Sequence, residues 1–159
     1  MESNVNASPN RGICRGSSLD DARIREEAAC WTLALREKNV TRVLEHYGPD
    51  AVTFGLGAPL LPSADPASRR ATLSGWFDTW VGPIDIEIKN LRLELGAERA
   101  FAYSTNHLSG KQTCGNVVSL WFRSTVVYGR WENRWLIVHE HQSVPFDTVT
   151  QRACLDLKP

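Results

Sequence analysis

The side chains that could move a proton lie in the second half of the chain. Glu140 sits in the run Trp135-Leu-Ile-Val-His-Glu-His-Gln-Ser-Val-Pro145. Read as a strand, that run puts Leu136, Val138, Glu140 and Gln142 on one face and His139, His141 and Ser143 on the other. A carboxylate on an apolar, water-poor face loses solvation of its charged form, so its pKa rises and it can serve as acid or base near neutrality. The competing role for Glu140 is a salt bridge to an arginine, purely structural. Upstream, Phe101, Tyr103, Thr105 and His107 share one side of another candidate strand. His107 can exchange a proton at physiological pH, and Tyr103 can donate to a developing oxyanion. Against that, His107 stands near Ser109-Gly110, where a strand end is wetted by solvent. The pair His139-x-His141 could reach one cation from a single face, but no third ligand lies nearby, so no metal is expected. Cys14, Cys30, Cys114 and Cys154 are far apart and form no C-x-x-C motif. No cofactor motif accompanies these groups.

These groups must be positioned by a scaffold, which the spacing of apolar residues outlines. Residues 1–18 are rich in Ser, Asn, Gly and Arg without periodicity and read as a disordered tail. Ile24, Ala28, Trp31 and Leu35 recur at helical spacing, with Asp20 and Asp21 where the helix dipole favours carboxylates. A second helix is predicted over Val40, Val43, Leu44 and Tyr47, stopping at Gly48-Pro49, and a short strand over Asp50 to Phe54. The stretch from Gly55 to Ser63 reads as a loop carrying Leu60. Asp65-Pro66 opens a third helix with Leu73, Trp76, Phe77 and Trp80 on one face. Beyond Pro83 everything reads as strand. Ile84, Ile86 and Ile88 alternate with charged residues, and turns at Gly96-Ala97-Glu98, Ser109-Gly110-Lys111 and Glu132-Asn133 divide a long meander. On its fourth run, Val118, Leu120, Phe122, Ser124, Val126 and Tyr128 form the more apolar face. Helices followed by such a sheet give an α+β fold.

Composition narrows the partners. The chain has 159 residues with 18 basic and 18 acidic side chains, so its formal net charge is zero. A binder of nucleic acid would carry a basic surplus, and no apolar run is long enough to span a membrane. With no apolar leader, a cytoplasmic location is expected. Six tryptophans outnumber the five Phe and three Tyr. Trp31, Phe54, Leu60, Trp76 and Trp80 are candidate apolar walls for a ligand.

Two motifs carry a resemblance: W-x-I-V-H-x-H-x-S at Trp135, Ile137, Val138, His139, His141 and Ser143, and W-x-R-x-T at Trp121, Arg123 and Thr125. Over residues 19–147 the chain resembles the nuclear-transport-factor-2-like superfamily, in its SnoaL-like and ketosteroid-isomerase-like branch; residues 148–159 form a C-terminal extension. The resemblance implies a cone in which three N-terminal helices pack on a curved, mostly antiparallel sheet. It also implies a small, largely apolar ligand with a carbonyl or hydroxyl group, and a homodimer through the outer sheet face with Arg123, Thr125, His139, His141 and Ser143. In the similar kinase association domain, ligand-contacting positions match Thr105, Val126 and Gln142; Phe101 and Phe122 complete the expected lining. The steroid-isomerase groups do not carry over. Their tyrosine position matches Trp31, the general-base position Gly55, and the second aspartate falls near Ser124 to Val126. The expected function is therefore small-molecule binding, with cofactor-independent isomerase, cyclase or dehydratase chemistry by Glu140, His107 and Tyr103. The alternative is a non-catalytic ligand-binding or assembly module.

Overall fold

A computed structural model describes residues 17–63 and 65–159. The expected tail lies almost wholly outside them. Helix α1 (Ser18–Arg36) is capped by Ser17, whose hydroxyl accepts from the Asp20 N–H, and buries the face bearing Ile24, Ala28, Trp31 and Leu35. Helix α2 (Val40–Leu44) is capped by Asn39. It is shorter than expected, because strand β1 (Tyr47–Phe54) already begins at Tyr47. The Ile137 N–H donates to the His46 carbonyl at 2.8 Å, drawing this segment out of the helix and into the sheet. Pro49, which has no N–H to give, falls where the β1 register is irregular. Helix α3 (Pro66–Asp78) starts behind its Asp65 cap, with proline in its first turn.

Four long strands follow: β2 (Trp80–Leu95), β3 (Arg99–Gln112), β4 (Val117–Trp131) and β5 (Arg134–Ser143). Their order in the sheet is β1-β5-β4-β3-β2, antiparallel except that β1 runs parallel to β5. The architecture is α+β, with the helices at the N-terminal end of the chain and a mostly antiparallel five-stranded sheet. In the C-terminal extension, β6 (Phe146–Asp147) pairs with β7 (Arg152–Ala153). Among the described residues no helix is long and apolar enough to cross a membrane.

Two irregularities set which side chains face inward. Beyond Pro83 in β2 the buried or half-buried apolar residues are Ile84, Ile86 and Ile88, then Leu91, Leu93 and Leu95. The parity changes at a register shift between Lys89 and Arg92, where Asn90 takes a positive φ of 53°. Such a bulge keeps one face apolar on both sides of the shift. In β5, Tyr128 pairs with Ile137 but Val127 pairs with His139, leaving Val138 as the extra residue. Trp135 and Ile137 are buried before the bulge and Glu140 after it. The expectation that Leu136 and Val138 share the inner face with Glu140 is corrected accordingly.

Ser109-Gly110-Lys111 does not turn. These residues continue β3, pairing with Ser119, Val118 and Val117, and the turn comes after Gln112. Glycine is needed at 110 because a β-carbon there would lie 2.9 Å from two ring carbons of Trp80. Gly110→Ala is therefore expected to lower unfolding stability by about 1–3 kcal/mol, the usual cost of overpacking. Chemical denaturation checks this, and an unchanged midpoint would show that the Trp80 ring gives way.

Candidate functional site

The inner face of β2 to β5, together with α1, encloses a cavity of about 30 Å3 lined by Trp31, Ala102, Asn106, Ser124, Val126 and Glu140 among others. That is room for one or two water molecules. The Val138 bulge turns Glu140 into this space, where the residue is only 5% exposed. The Tyr47 hydroxyl donates to Glu140 Oε2 at 2.7 Å, and Gln142 Nε2 donates to Oε1 at 2.6 Å. Trp31 Nε1 in turn donates to the Tyr47 oxygen at 3.2 Å. A chain of hydrogen bonds thus runs from helix α1 through β1 to β5.

Burial pushes the Glu140 carboxyl above its ordinary value, partly offset by the bonds from Tyr47 and Gln142 and by the nearby His139. Burial, and then the Glu140 charge, push the Tyr47 phenol well up, so it remains a protonated donor. Tyr128 is raised for the same two reasons. Each carboxylate oxygen carries two lone pairs, and the two protein donors occupy one on each. The remaining lone pairs can accept a proton from a ligand.

Around the same cavity stand polar groups that sequence reasoning missed. Ser104 Oγ donates to Asn106 Oδ1 at 2.8 Å, which orients that amide with its Nδ2 as the uncommitted donor. Asn106, Ser124 and Tyr128 are each 4% exposed. Asn106, Ser124 and Tyr128 line the cavity with Glu140, and each carries a polar side-chain group that can donate there. Three polar side chains gathered around one cavity can satisfy a water or a ligand oxygen placed there. The readable signal was Ser104-x-Asn106 in phase with Ala100 and Ala102, a row of small and polar residues where a filled core would show large apolar ones.

The expected companions of Glu140 sit elsewhere. Phe101, Tyr103, Thr105 and His107 occupy the outer face, because β3 pairs Ser104 with Ser124 and so turns its even-numbered residues inward. There Tyr103 donates to Glu94 Oε1 at 3.1 Å, Thr105 accepts from Asn90 Nδ2, and His107 lies 2.9 Å from Ser119 Oγ. The His107 ring stacks on Trp121 at 4.9 Å between centroids. Neither Tyr103 nor His107 can reach Glu140 from that side. Phe54 also lies outside, edge-on to His139 at 5.2 Å and His141 at 5.8 Å. Leu60 is 98% exposed and lines nothing. Trp80, Phe122 and the partly buried Trp76 belong to the packed core rather than to the cavity wall. The structure places Trp31, Val126 and Glu140 around the cavity, and Gln142 against the Glu140 carboxylate. Among the described residues no cluster of three or more His, Cys, Asp or Glu could hold a metal ion.

The family model for the SnoaL-like domain matches residues 24–147. Among solved structures, the chain is similar to an NTF2-like protein of unknown function from Pseudomonas putida KT2440, with 27% identity and a TM-score of 0.80, covering 90% of this chain and 99% of that one. It is similar in fold to a candidate dehydratase of the NTF2-like family from Streptomyces avermitilis, with 10% identity and a TM-score of 0.71, covering 82% and 100%. A third, a ketosteroid isomerase-like protein from Erwinia carotovora, has 19% identity and a TM-score of 0.68, covering 80% and 97%. No curated protein matches the chain.

Proposed function

The chain belongs to the SnoaL-like domain family, and on that premise we propose that it binds a small, largely apolar carbonyl or hydroxyl compound and moves a proton on it with Glu140. The observation that carries the reading is a buried carboxylate, bonded to Tyr47 at 2.7 Å, that shares one cavity with the polar side chains of Asn106, Ser124 and Tyr128. In the ionised form Glu140 takes the proton from the carbon next to a carbonyl. The C–H electron pair becomes the new C=C bond, and the carbonyl π pair moves onto oxygen, where Asn106 Nδ2 and the Ser124 or Tyr128 hydroxyl donate to it. Return of that proton to another carbon completes an isomerisation. Its delivery to a departing β-hydroxyl, released as water, completes a dehydration. Both use the same residues and leave Glu140 as it began, without a cofactor. The printed names of the neighbours, a candidate dehydratase and a ketosteroid isomerase-like protein, support this class.

The cavity volume of about 30 Å3 favours a second reading, a non-catalytic binding or assembly module. In the catalytic reading the ligand's oxygen fills this space and the remainder displaces the apolar walls Trp31, Ile88 and Leu91. The discriminating experiment needs no knowledge of the product. α-Proton exchange in D2O, followed by proton NMR on a panel of aldehydes and ketones, reports enolisation directly. Exchange above the buffer rate supports the catalytic reading; none on any compound that binds favours the module.

For assembly, we propose a second copy over the outer sheet face. Phe101 and Tyr103 are exposed there, beside the His107–Trp121 stack. A Phe101→Glu variant is expected to sediment as a monomer where the parent sediments as a dimer. A parent already monomeric at micromolar concentration would remove this proposal.

A further inference from the structure

A second cavity, of about 390 Å3, lies against α1 outside the interior, lined by Arg23, Glu26, Glu27, Cys30, His46 and Arg134 among others. Within it His46 Nδ1 is 2.7 Å from Glu27 Oε2, a part-buried contact, while Arg134 reaches Glu27 Oε1 only at 3.8 Å. Glu27 stands one turn before Trp31 on α1, and His46 immediately precedes Tyr47. Helix α1 therefore meets the start of β1 at two successive points. Outside, Glu27 holds His46; inside, Trp31 donates to Tyr47, which donates to Glu140.

Around this junction Arg69 donates to the Gly48 and Ala51 carbonyls and Arg134 to the Glu45 carbonyl, all backbone contacts on either side of His46 and Tyr47, while the ladder itself contributes little. After Tyr47 the pairing of β1 with β5 is irregular until Val52, and Pro49 offers no N–H. The His46 carbonyl accepts from Ile137, one ladder bond just before the Val138 bulge. A side chain at the first paired position of a strand, with no regular ladder behind it, shifts easily unless a second contact fixes it.

We propose that His46 and Glu27 form a positioning pair that holds the start of β1 against α1, so that the Tyr47 hydroxyl stays in contact with the Glu140 carboxylate. The proposal rests on the reading of Glu140 as the working group, and it assigns the outer cavity a part in setting that group's state. Because the Tyr47 bond favours the ionised carboxylate, loosening it raises the pH at which Glu140 titrates.

The test follows the Glu140 carboxyl by 13C NMR titration, its signal assigned by its loss in Glu140→Gln. Tyr47→Phe, which deletes the bond, sets the largest upward displacement. Glu27→Gln and His46→Asn are expected to move the midpoint in the same direction by about half a pH unit or more, and to speed solvent exchange of the Trp31 indole N–H. Arg23→Ala, which lines the same cavity but bonds Asn133 Oδ1 rather than the start of β1, is expected to leave both readouts in place. A merely structural clasp would lower the thermal midpoint in Glu27→Gln and His46→Asn and leave the titration and the indole proton at parental values; that result overturns the proposal. If Glu140→Gln retains full proton exchange on substrates while the clasp variants still displace the titration, the functional reading fails and the positioning pair stands.

Discussion

Replacing Glu140 with glutamine is expected to lower α-proton exchange on a responsive carbonyl compound by about two to four orders of magnitude, the span of a single general base. Glutamine has the same shape and fits the same space, but its amide cannot take up a proton at neutral pH. Tyr47 retains one acceptor on the amide oxygen, so the wall around the cavity is expected to persist and the loss to fall on turnover rather than on binding. Exchange within threefold of the parent would exclude Glu140 as the base.

The same variant carries a stability signature of known sign. In the unfolded chain the Glu140 carboxyl has its ordinary value of 4.5, and in the folded chain burial raises it. Between those two values the folded protein holds a proton that the unfolded chain has released. The contribution to stability is thus full below the ordinary value and is lost as pH rises through the raised one. Glutamine does not titrate. Urea denaturation of parent and variant should therefore show a difference that moves in the variant's favour as pH rises from about 4 towards neutrality. A pH-independent difference would contradict the burial of an ionisable group at this position.

Asp20→Asn is expected to be the most damaging single change to the fold outside the site, costing about 2–3 kcal/mol. Asp20 is 7% exposed and accepts from Arg130 Nη2 at 2.8 Å, Trp135 Nε1 at 3.0 Å and Ser17 Oγ at 3.0 Å. Arg130 also donates from Nε to the Ala97 carbonyl and stacks over the Trp135 ring at 4.3 Å. One carboxylate thus joins the first turn of α1 to the β4–β5 hairpin, and its arginine reaches the β2–β3 turn. Asparagine keeps one acceptor and removes the charge that balances Arg130. The thermal midpoint is expected to fall by about 5–10 °C.

The acid limb provides an independent check. The Arg130 and Trp135 hydrogen bonds hold the Asp20 carboxyl down to about 2, from an ordinary value of 3.8. A lowered folded value means that this stabilisation is present above 3.8 and is lost as pH falls through about 2. The parent should accordingly lose stability over that window more steeply than Asp20→Asn. Parallel acid limbs would show that Asp20 is not held by Arg130 in solution.

Much of this architecture was legible before any coordinates. The α1 face from Ile24 to Leu35, the Asp65-Pro66 helix start and the inner face of β4 from Phe122 to Tyr128 all follow from periods of 3.6 and 2, which backbone geometry imposes locally. The site was legible only in part. The inward position of Glu140 depended on parity in β5, and the structure reaches it through the Val138 bulge, with Trp135 and Ile137 inside rather than Leu136 and Val138. For β3 the choice of the larger side chains, Phe101, Tyr103 and His107, misread the outer face as the inner one. The inside beneath α1 takes Ala100, Ala102 and Ser104, because little space remains there beside Trp31.

By itself, then, the sequence determined the class of fold, the order of its helices and long strands, a balanced charge, and a match to the SnoaL-like domain family over residues 24–147. These are properties of short windows and of composition. Only the tertiary structure decided which residues meet: Tyr47 with Glu140 across 93 positions, Asp20 with Arg130 and Trp135 across 110 and more, and Asn106 with Ser124 around one cavity. The physical reason is the two-residue period of a strand. One extra residue at Asn90 or Val138 reverses every side chain beyond it, and whether the extra residue is accommodated is settled by the neighbouring strand and the helix above, far away along the chain.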